Sequence, residues 1–134
     1  MSDHDAPTQY HVRLTERAYY DYHLARLYVR AVSGEAALDE WISGFEEAVE
    51  SLKYMPYRSL VPEAGLFKRE TRQLTYRAKG ASYSHRILYQ IDEDGGLRVL
   101  VIHVRHGSQD SVSRFDADVL ERQAGFDPPQ DEGE

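Results

Sequence analysis

The segment from Glu35 to Tyr54 constrains the fold most, because it carries the clearest helical pattern in the chain. Its apolar residues recur at the three- and four-residue spacing of one helix face, at Leu38, Trp41, Ile42, Phe45, Ala48, Val49 and Leu52. Acidic residues cover the other side, at Asp39, Glu46, Glu47 and Glu50. Met55-Pro56 should end this helix, since a residue before proline avoids the helical conformation. A helix with such a face needs a second layer to bury it.

A second helix precedes it. Thr15 is a suitable N-cap, and Glu16 places a negative charge at the helix N-terminus. One face carries apolar residues at alternating four- and three-residue spacing, at Ala18, Tyr22, Ala25, Val29 and Val32. Because Ser33-Gly34 leaves only a short link, we expect the two helices to form an antiparallel hairpin. The alternating residues 10–14 predict a short strand before them.

Three strand-like runs follow the hairpin, after a loop at 55–66 that contains two prolines and a glycine. They span 67–77, 83–92 and 97–106. Asp94-Gly95-Gly96 favours a hairpin turn between the last two, because glycine accepts positive φ. The predicted fold is therefore α+β with the order β-α-α-β-β-β. Its small, mainly antiparallel sheet should have the helical hairpin packed on one face.

The remaining sequence completes the domain prediction. Residues 10–110 form the predicted domain, and 111–125 a possible short C-terminal helix. Within 114–124, Phe115, Val119 and Leu120 are expected to point inward, with Gly125 after the helix end. Residues 1–9 and the acidic tail 126–134 are expected to be disordered.

Composition excludes several classes of function. With 134 residues, of which 41% are hydrophobic, the chain should fold as one domain. It has no cysteine, which excludes a disulfide scaffold, a thiolate metal site and a cysteine nucleophile. No apolar run approaches the ~20 residues of a membrane span. The acidic N-terminus is unlike a signal peptide, so we expect a cytoplasmic protein without a membrane partner.

The net charge of −7 is unevenly distributed. Residues 1–8 contribute −2, residues 9–107 contribute +1 and residues 108–134 contribute −6. Within 68–86, six basic residues stand against one acidic residue, Glu70. The sequence thus predicts a local basic surface on a nearly neutral body.

Several runs together resemble the RelE/ParE family of toxins from type II toxin–antitoxin pairs. They are TRQLTY at 71–76, SHRILYQID at 84–92 and VLVIHVRHGSQD at 99–110, with PYRSLVPE at 56–63 fitting the same pattern. The similarity covers roughly residues 10–110. It implies a bacterial or archaeal toxin that arrests growth and is held inactive in a hetero-oligomer with a cognate antitoxin. The family fold, a small antiparallel sheet against two helices, matches the order predicted above.

The resemblance leaves two modes of action. RelE-like members cut messenger RNA on the ribosome, whereas ParE-like members inhibit DNA gyrase. Arg86 matches an arginine of the RelE-like nucleases, but the strand at 71–76 has no lysine. Nor does any tyrosine follow Tyr89, where those nucleases use one after the last strand; Phe115 stands there instead. We therefore expect a gyrase inhibitor, with a ribonuclease or an inactive antitoxin-binding relic as alternatives.

Two histidines raise further possibilities. As a nuclease, the protein would use Arg86 to stabilise the phosphate and His106 to transfer protons. Otherwise His106 is simply part of a structural strand end. His103 and His106 should point to opposite faces of a strand, so no metal site is expected. No cofactor is expected either.

A binding surface is predicted for the target or the antitoxin. Its residues are Arg69, Arg72, Arg86, Arg105, Tyr19 and Tyr20. Arginine forks suit carboxylates, and tyrosine suits interfaces. Alternatively, the arginines pair with carboxylates of the protein itself and the tyrosines pack within the hairpin.

Overall fold

The computed structural model describes residues 9–125. Its elements are β1 (His11–Leu14), α1 (Glu16–Ser33), α2 (Glu35–Ser51), a 3-10 turn (Ala64–Leu66), β2 (Thr71–Tyr76), β3 (His85–Asp92), β4 (Arg98–His106) and α3 (Arg114–Ala124). The predicted order β-α-α-β-β-β is confirmed, with α3 added at the end. The predictions for residues 1–8 and 126–134 lie outside the described residues.

The four strands form one mixed sheet in the order β1-β4-β3-β2. The β2–β3 and β3–β4 pairs are antiparallel, and β1 lies parallel to β4. A bulge shifts the β3–β4 register, so that Leu88 pairs with His103 while Tyr89 pairs with Val101. Beyond the bulge, His85 lies opposite His106 and Arg86 lies opposite Arg105. This register decides which candidate side chains share a face.

The hairpin of α1 and α2 is built as its sequence indicates. The Thr15 side chain accepts the Ala18 N–H at 3.0 Å and caps α1. Gly34 adopts a φ of 91°, which glycine tolerates, and links α1 directly to α2. On α1 the buried line ends at Val29, because Val32 in the last turn is 57% exposed. Helix α2 ends at Ser51, a turn earlier than expected.

Two hydrophobic clusters occupy opposite faces of the sheet, because alternate strand residues point to opposite sides. The hairpin covers the first, which includes Ala18, Val29, Leu38, Trp41, Phe45, Ile87, Tyr89, Val99 and Val101. Helix α3 and the segment 61–67 cover the second, which includes Val61, Phe67, Leu88, Leu100, Ile102, Ala117 and Leu120. The hairpin on one face is confirmed, and α3 closes the other face.

The inward face of α3 differs from the expected one. Ala117, Leu120 and Ala124 are buried, whereas Phe115 is 72% exposed. Position 115 is about 200° around the helix from position 117, since each residue turns about 100°. Phe115 therefore cannot share the buried face.

Candidate functional site

Arg86 on β3 forms a buried ion pair. Its guanidinium donates to both carboxylate oxygens of Glu63, at 2.7 and 3.1 Å, and its Nε donates to Gln73 at 2.7 Å. Glu63 also accepts the Val112 N–H at 3.0 Å. Burial alone would raise the pKa of Glu63, but the bonds from Arg86 and Val112 lower it overall. The fork of Arg86 is thus occupied by the protein's own carboxylate.

Arg72 lies on the edge strand β2, and Arg69 lies just before that strand. Arg72 donates to Glu70 at 2.9 Å and lies 4.9 Å from the ring centre of Tyr57. The backbone N–H of Arg69 donates to Glu121 of α3 at 2.9 Å. Two of the six basic residues of the predicted surface, Arg72 and Arg86, are therefore paired with carboxylates of the protein itself.

A network around Asp21 joins α1 to the open edge of β4. Strand β1 pairs with β4 only as far as Val101. Beyond that point the Asp21 carboxylate accepts the Val104 N–H at 3.1 Å and bonds to His103 Nδ1 at 2.6 Å. The other carboxylate oxygen accepts from Arg17 at 3.0 Å. Asp21 thus satisfies a strand edge that would otherwise lack partners.

Arg105 extends this network. Its Nη1 donates to His103 Nε2 at 3.2 Å, and Nη2 donates to the carbonyl of Asp110 at 2.5 Å. Because a guanidinium can only donate, His103 Nε2 must be an acceptor and Nδ1–H must donate to Asp21. His103 thus links the Asp21 carboxylate to the Arg105 guanidinium through its two ring nitrogens.

His106 lies in an aromatic cluster under the hairpin. Its ring is 5.0 Å from Tyr28, 6.1 Å from Tyr83 and 5.3 Å from His85, measured between ring centres. Its Nδ1 accepts the Ser108 N–H at 3.1 Å, so the neutral ring carries its proton on Nε2. That Nε2 atom is buried and has no hydrogen-bond partner. In this arrangement Nδ1 of His106 is not free to accept a proton, and Nε2 is not accessible to donate one.

His85 is the buried cross-strand neighbour of His106. It is 3% exposed, and its Nδ1 has no hydrogen-bond partner. Burial, followed by repulsion from His106, lowers the pKa of His85 to about 4. At neutral pH the cluster therefore contains an uncharged His85.

The candidate residues fall on two faces. Arg86 and Arg105 are direct cross-strand neighbours, and Arg86 reaches Glu63 on the α3 side. His85 and His106 are the next cross-strand pair, and they contact the hairpin side through Tyr28 and Trp41. The structure brings the two arginines together but separates His106 from Arg86.

Tyr19 and Tyr20 are 60% and 61% exposed. Leu24, Leu27, Tyr28 and Val32 of α1 are exposed too, and Tyr20, Leu24 and Leu27 lie within about 60° of one another on one outer face of the helix. Beside it, a groove of about 360 Å³ between the helices is lined by Leu14, Tyr19, Tyr22, Phe45, Glu46, Val49 and Glu50. The hairpin therefore offers an apolar surface to a partner, with acidic residues at its rim.

Sequence reasoning did not single out Asp21, Glu63 or His85. Asp21 left a signal, because it lies three residues after Ala18 on the inward side of α1, where a carboxylate needs a partner. No sequence pattern indicates that Glu63 is buried, since it lies in an irregular segment. The importance of His85 depends on the β3–β4 register, which places it opposite His106.

The described part of the chain has neither a metal-binding cluster nor a membrane-spanning helix. Among residues 9–125, no group of three His, Cys, Asp or Glu side chains is arranged to hold a metal ion. Over the same range, no helix combines the length and the apolar character needed to cross a membrane.

Comparison with known proteins assigns the family. The family model described as "ParE toxin of type II toxin-antitoxin system, parDE" matches residues 12–111, which are 100 of the 134 residues. No curated protein gives a significant match. The α+β fold agrees with the RelE/ParE-like architecture expected from the sequence. Membership implies a cognate antitoxin as partner. The chain belongs to the ParE toxin family of type II toxin–antitoxin systems.

Proposed function

We propose that this toxin arrests growth by binding and inhibiting DNA gyrase in the cytoplasm, and that its antitoxin neutralises it in a hetero-oligomer. The observation that carries the proposal is the separation of Arg86 from His106. Cleavage through a ribose 2′-hydroxyl needs a base, an acid and positive charge around one phosphate. Here the Arg86 fork holds Glu63, and His106 lies among the rings on the other face.

The exposed hairpin supports recognition of a protein target. Six large apolar side chains of α1 are between 39% and 61% exposed. Exposed apolar patches mark interaction sites, and Tyr20, Leu24 and Leu27 share one outer face of α1. Tyrosine in particular is enriched in protein interfaces.

A supercoiling assay tests the proposal directly. Purified toxin is expected to inhibit gyrase-catalysed supercoiling and to leave ribosome-bound messenger RNA intact in a cell-free translation reaction. His106→Gln should inhibit gyrase within about twofold of the unsubstituted toxin, because His106 transfers no proton in this mode. His23→Gln, on the exposed side of α1, is the matched control.

Two results would contradict the proposal. Rapid loss of translation with cuts in ribosome-bound messenger RNA, abolished by His106→Gln, would establish the ribonuclease alternative. Normal growth with abundant folded toxin and no inhibition of either process would establish the inactive relic.

A further inference from the structure

Arg105 is a buried cation without a carboxylate partner among the described residues. It is 8% exposed, and its hydrogen bonds go to an imidazole nitrogen and a backbone carbonyl. Its Nε is buried and has no partner at all. Burial, and then repulsion from Arg86, lower the pKa of Arg105, and attraction from Asp116, Glu63 and Asp21 offsets only part of this lowering. A buried charge normally has a counter-ion, because leaving it uncompensated is strongly destabilising.

A cavity adjoins this guanidinium. It has a volume of about 140 Å³ and is lined by Arg17, His103, Arg105, Gln109, Asp116, Val119 and Leu120. One water needs roughly 10–15 Å³ by the same measure, so a larger polar group fits. The cavity lies between α1, the end of β4 and the first turns of α3. These elements fix its walls.

The protein's nearby carboxylates are committed elsewhere or exposed. Asp21 is held by His103, Val104 and Arg17, and Glu63 is held by Arg86. Asp116 lines the cavity and attracts Arg105 through its charge, but it is exposed to solvent, which screens that attraction. Arg105 therefore borders the cavity with hydrogen bonds to an imidazole and a carbonyl, and with none to a carboxylate among residues 9–125.

We propose that this cavity is a binding site for a single carboxylate group, which pairs with Arg105 and receives a further hydrogen bond from Gln109. A planar guanidinium matches a carboxylate in geometry. The apolar walls at Val119 and Leu120 suit the carbon stem that carries such a group. Asp116 at the rim disfavours a doubly charged phosphate, whose repulsion would be larger.

Nuclear magnetic resonance on the full chain tests this site. The Nε–Hε signal of Arg105 is followed during titration with acetate at pH 7 and constant ionic strength, with chloride as the reference salt. A saturable shift with acetate is expected, and inorganic phosphate should bind more weakly. N-acetylglutamate amide provides a second probe, which distinguishes an acidic side chain from a free small acid as the preferred source.

Variants assign the response to the cavity. Arg105→Gln should weaken acetate binding at least tenfold, whereas Arg77→Gln, an exposed arginine near the end of β2, should leave it within twofold. If Arg105→Gln does not fold, Arg105→Lys keeps the charge and removes the fork, and binding should fall about fivefold. Asp116→Asn should tighten binding about three- to tenfold.

Three outcomes would overturn the proposal. One is an equal shift with chloride, which would indicate ionic strength alone. Another is tighter binding of phosphate than of acetate. The third is a loss of stability in Asp116→Asn that acetate restores no better than chloride, which would make Asp116 itself the counter-ion.

Discussion

Removing a buried charge from this sheet should cost more stability than removing an exposed one. Replacing Glu63 by Gln should destabilise the fold by about 2–4 kcal/mol, because Arg86 then remains buried without its counter-ion. Glu70→Gln is the matched control, since Glu70 is 60% exposed on its side chain and pairs with Arg72 at the surface. Its cost should stay below about 0.5 kcal/mol. Urea denaturation measures both, and equal costs would contradict the buried-pair interpretation.

His85 should make stability depend on pH. Its folded pKa of about 4 lies below the unfolded value of about 6.5, so the unfolded chain binds the proton first. Its contribution is complete above pH 6.5 and is lost as the pH falls toward 4. Between pH 7.5 and 5 the expected loss in unfolding free energy is about 2 kcal/mol.

Denaturation of His85→Phe measures this contribution. The variant should lose much less stability over this range, while His23→Phe, on an exposed position, should behave like the unsubstituted protein. A parallel pH dependence in all three proteins would show that His85 is not the group responsible. Measurements above pH 5 avoid the carboxylates Glu63 and Asp92, whose lowered pKa values place their effects at more acidic pH.

At the scale of elements, α2 packs closely on β2 at Gly44. A Cβ placed there would lie 2.2 Å from the Tyr76 hydroxyl oxygen and 2.9 Å from Cζ of its ring. That hydroxyl donates to the Trp41 carbonyl at 3.0 Å, which holds the ring in place. Gly44→Ala should gain about 1 kcal/mol of helix propensity but lose more to the clash.

Gly44→Ala should therefore lower the free energy of unfolding by about 1–2 kcal/mol, as measured by thermal or chemical denaturation. In a Tyr76→Phe background the same substitution should cost less, because the clashing oxygen is gone. Gly65→Ala, where a Cβ meets nothing within 4 Å, is the control. Additive effects of the substitutions at 44 and 76 would argue against this close approach.

In the molecule as a whole, the hairpin covers one face of the sheet and also presents exposed apolar side chains on its outer side. Leu24 and Leu27 are 45% and 44% exposed on the outer face of α1. Replacing both by Ser should change stability little, yet reduce growth arrest or antitoxin binding at least tenfold, because the apolar contact is lost. Met55→Ser with Leu97→Ser, two exposed positions outside α1, is the matched control. Unchanged arrest and unchanged antitoxin binding would rule out this face.

The sequence determined the local features of this protein. Periodicity located both helices of the hairpin, Thr15 predicted the cap of α1, and Asp94-Gly95-Gly96 predicted the turn before β4. The runs that resemble the RelE/ParE family lie mainly in the strands, with one in the loop at 56–63. These features can be predicted from the sequence because the geometry of helices and turns depends on residues that are neighbours in the chain.

The partners of the site residues follow from contacts between distant parts of the chain. Asp21 meets His103 across 82 positions, and Glu63 meets Arg86 across 23. The parallel placement of β1 and the bulge at Leu88 also depend on distant strands. The bulge sets the register in which Arg86 faces Arg105 while His85 faces His106. A one-residue change in register would exchange the two faces, so the partners of each charge follow from packing and not from local pattern.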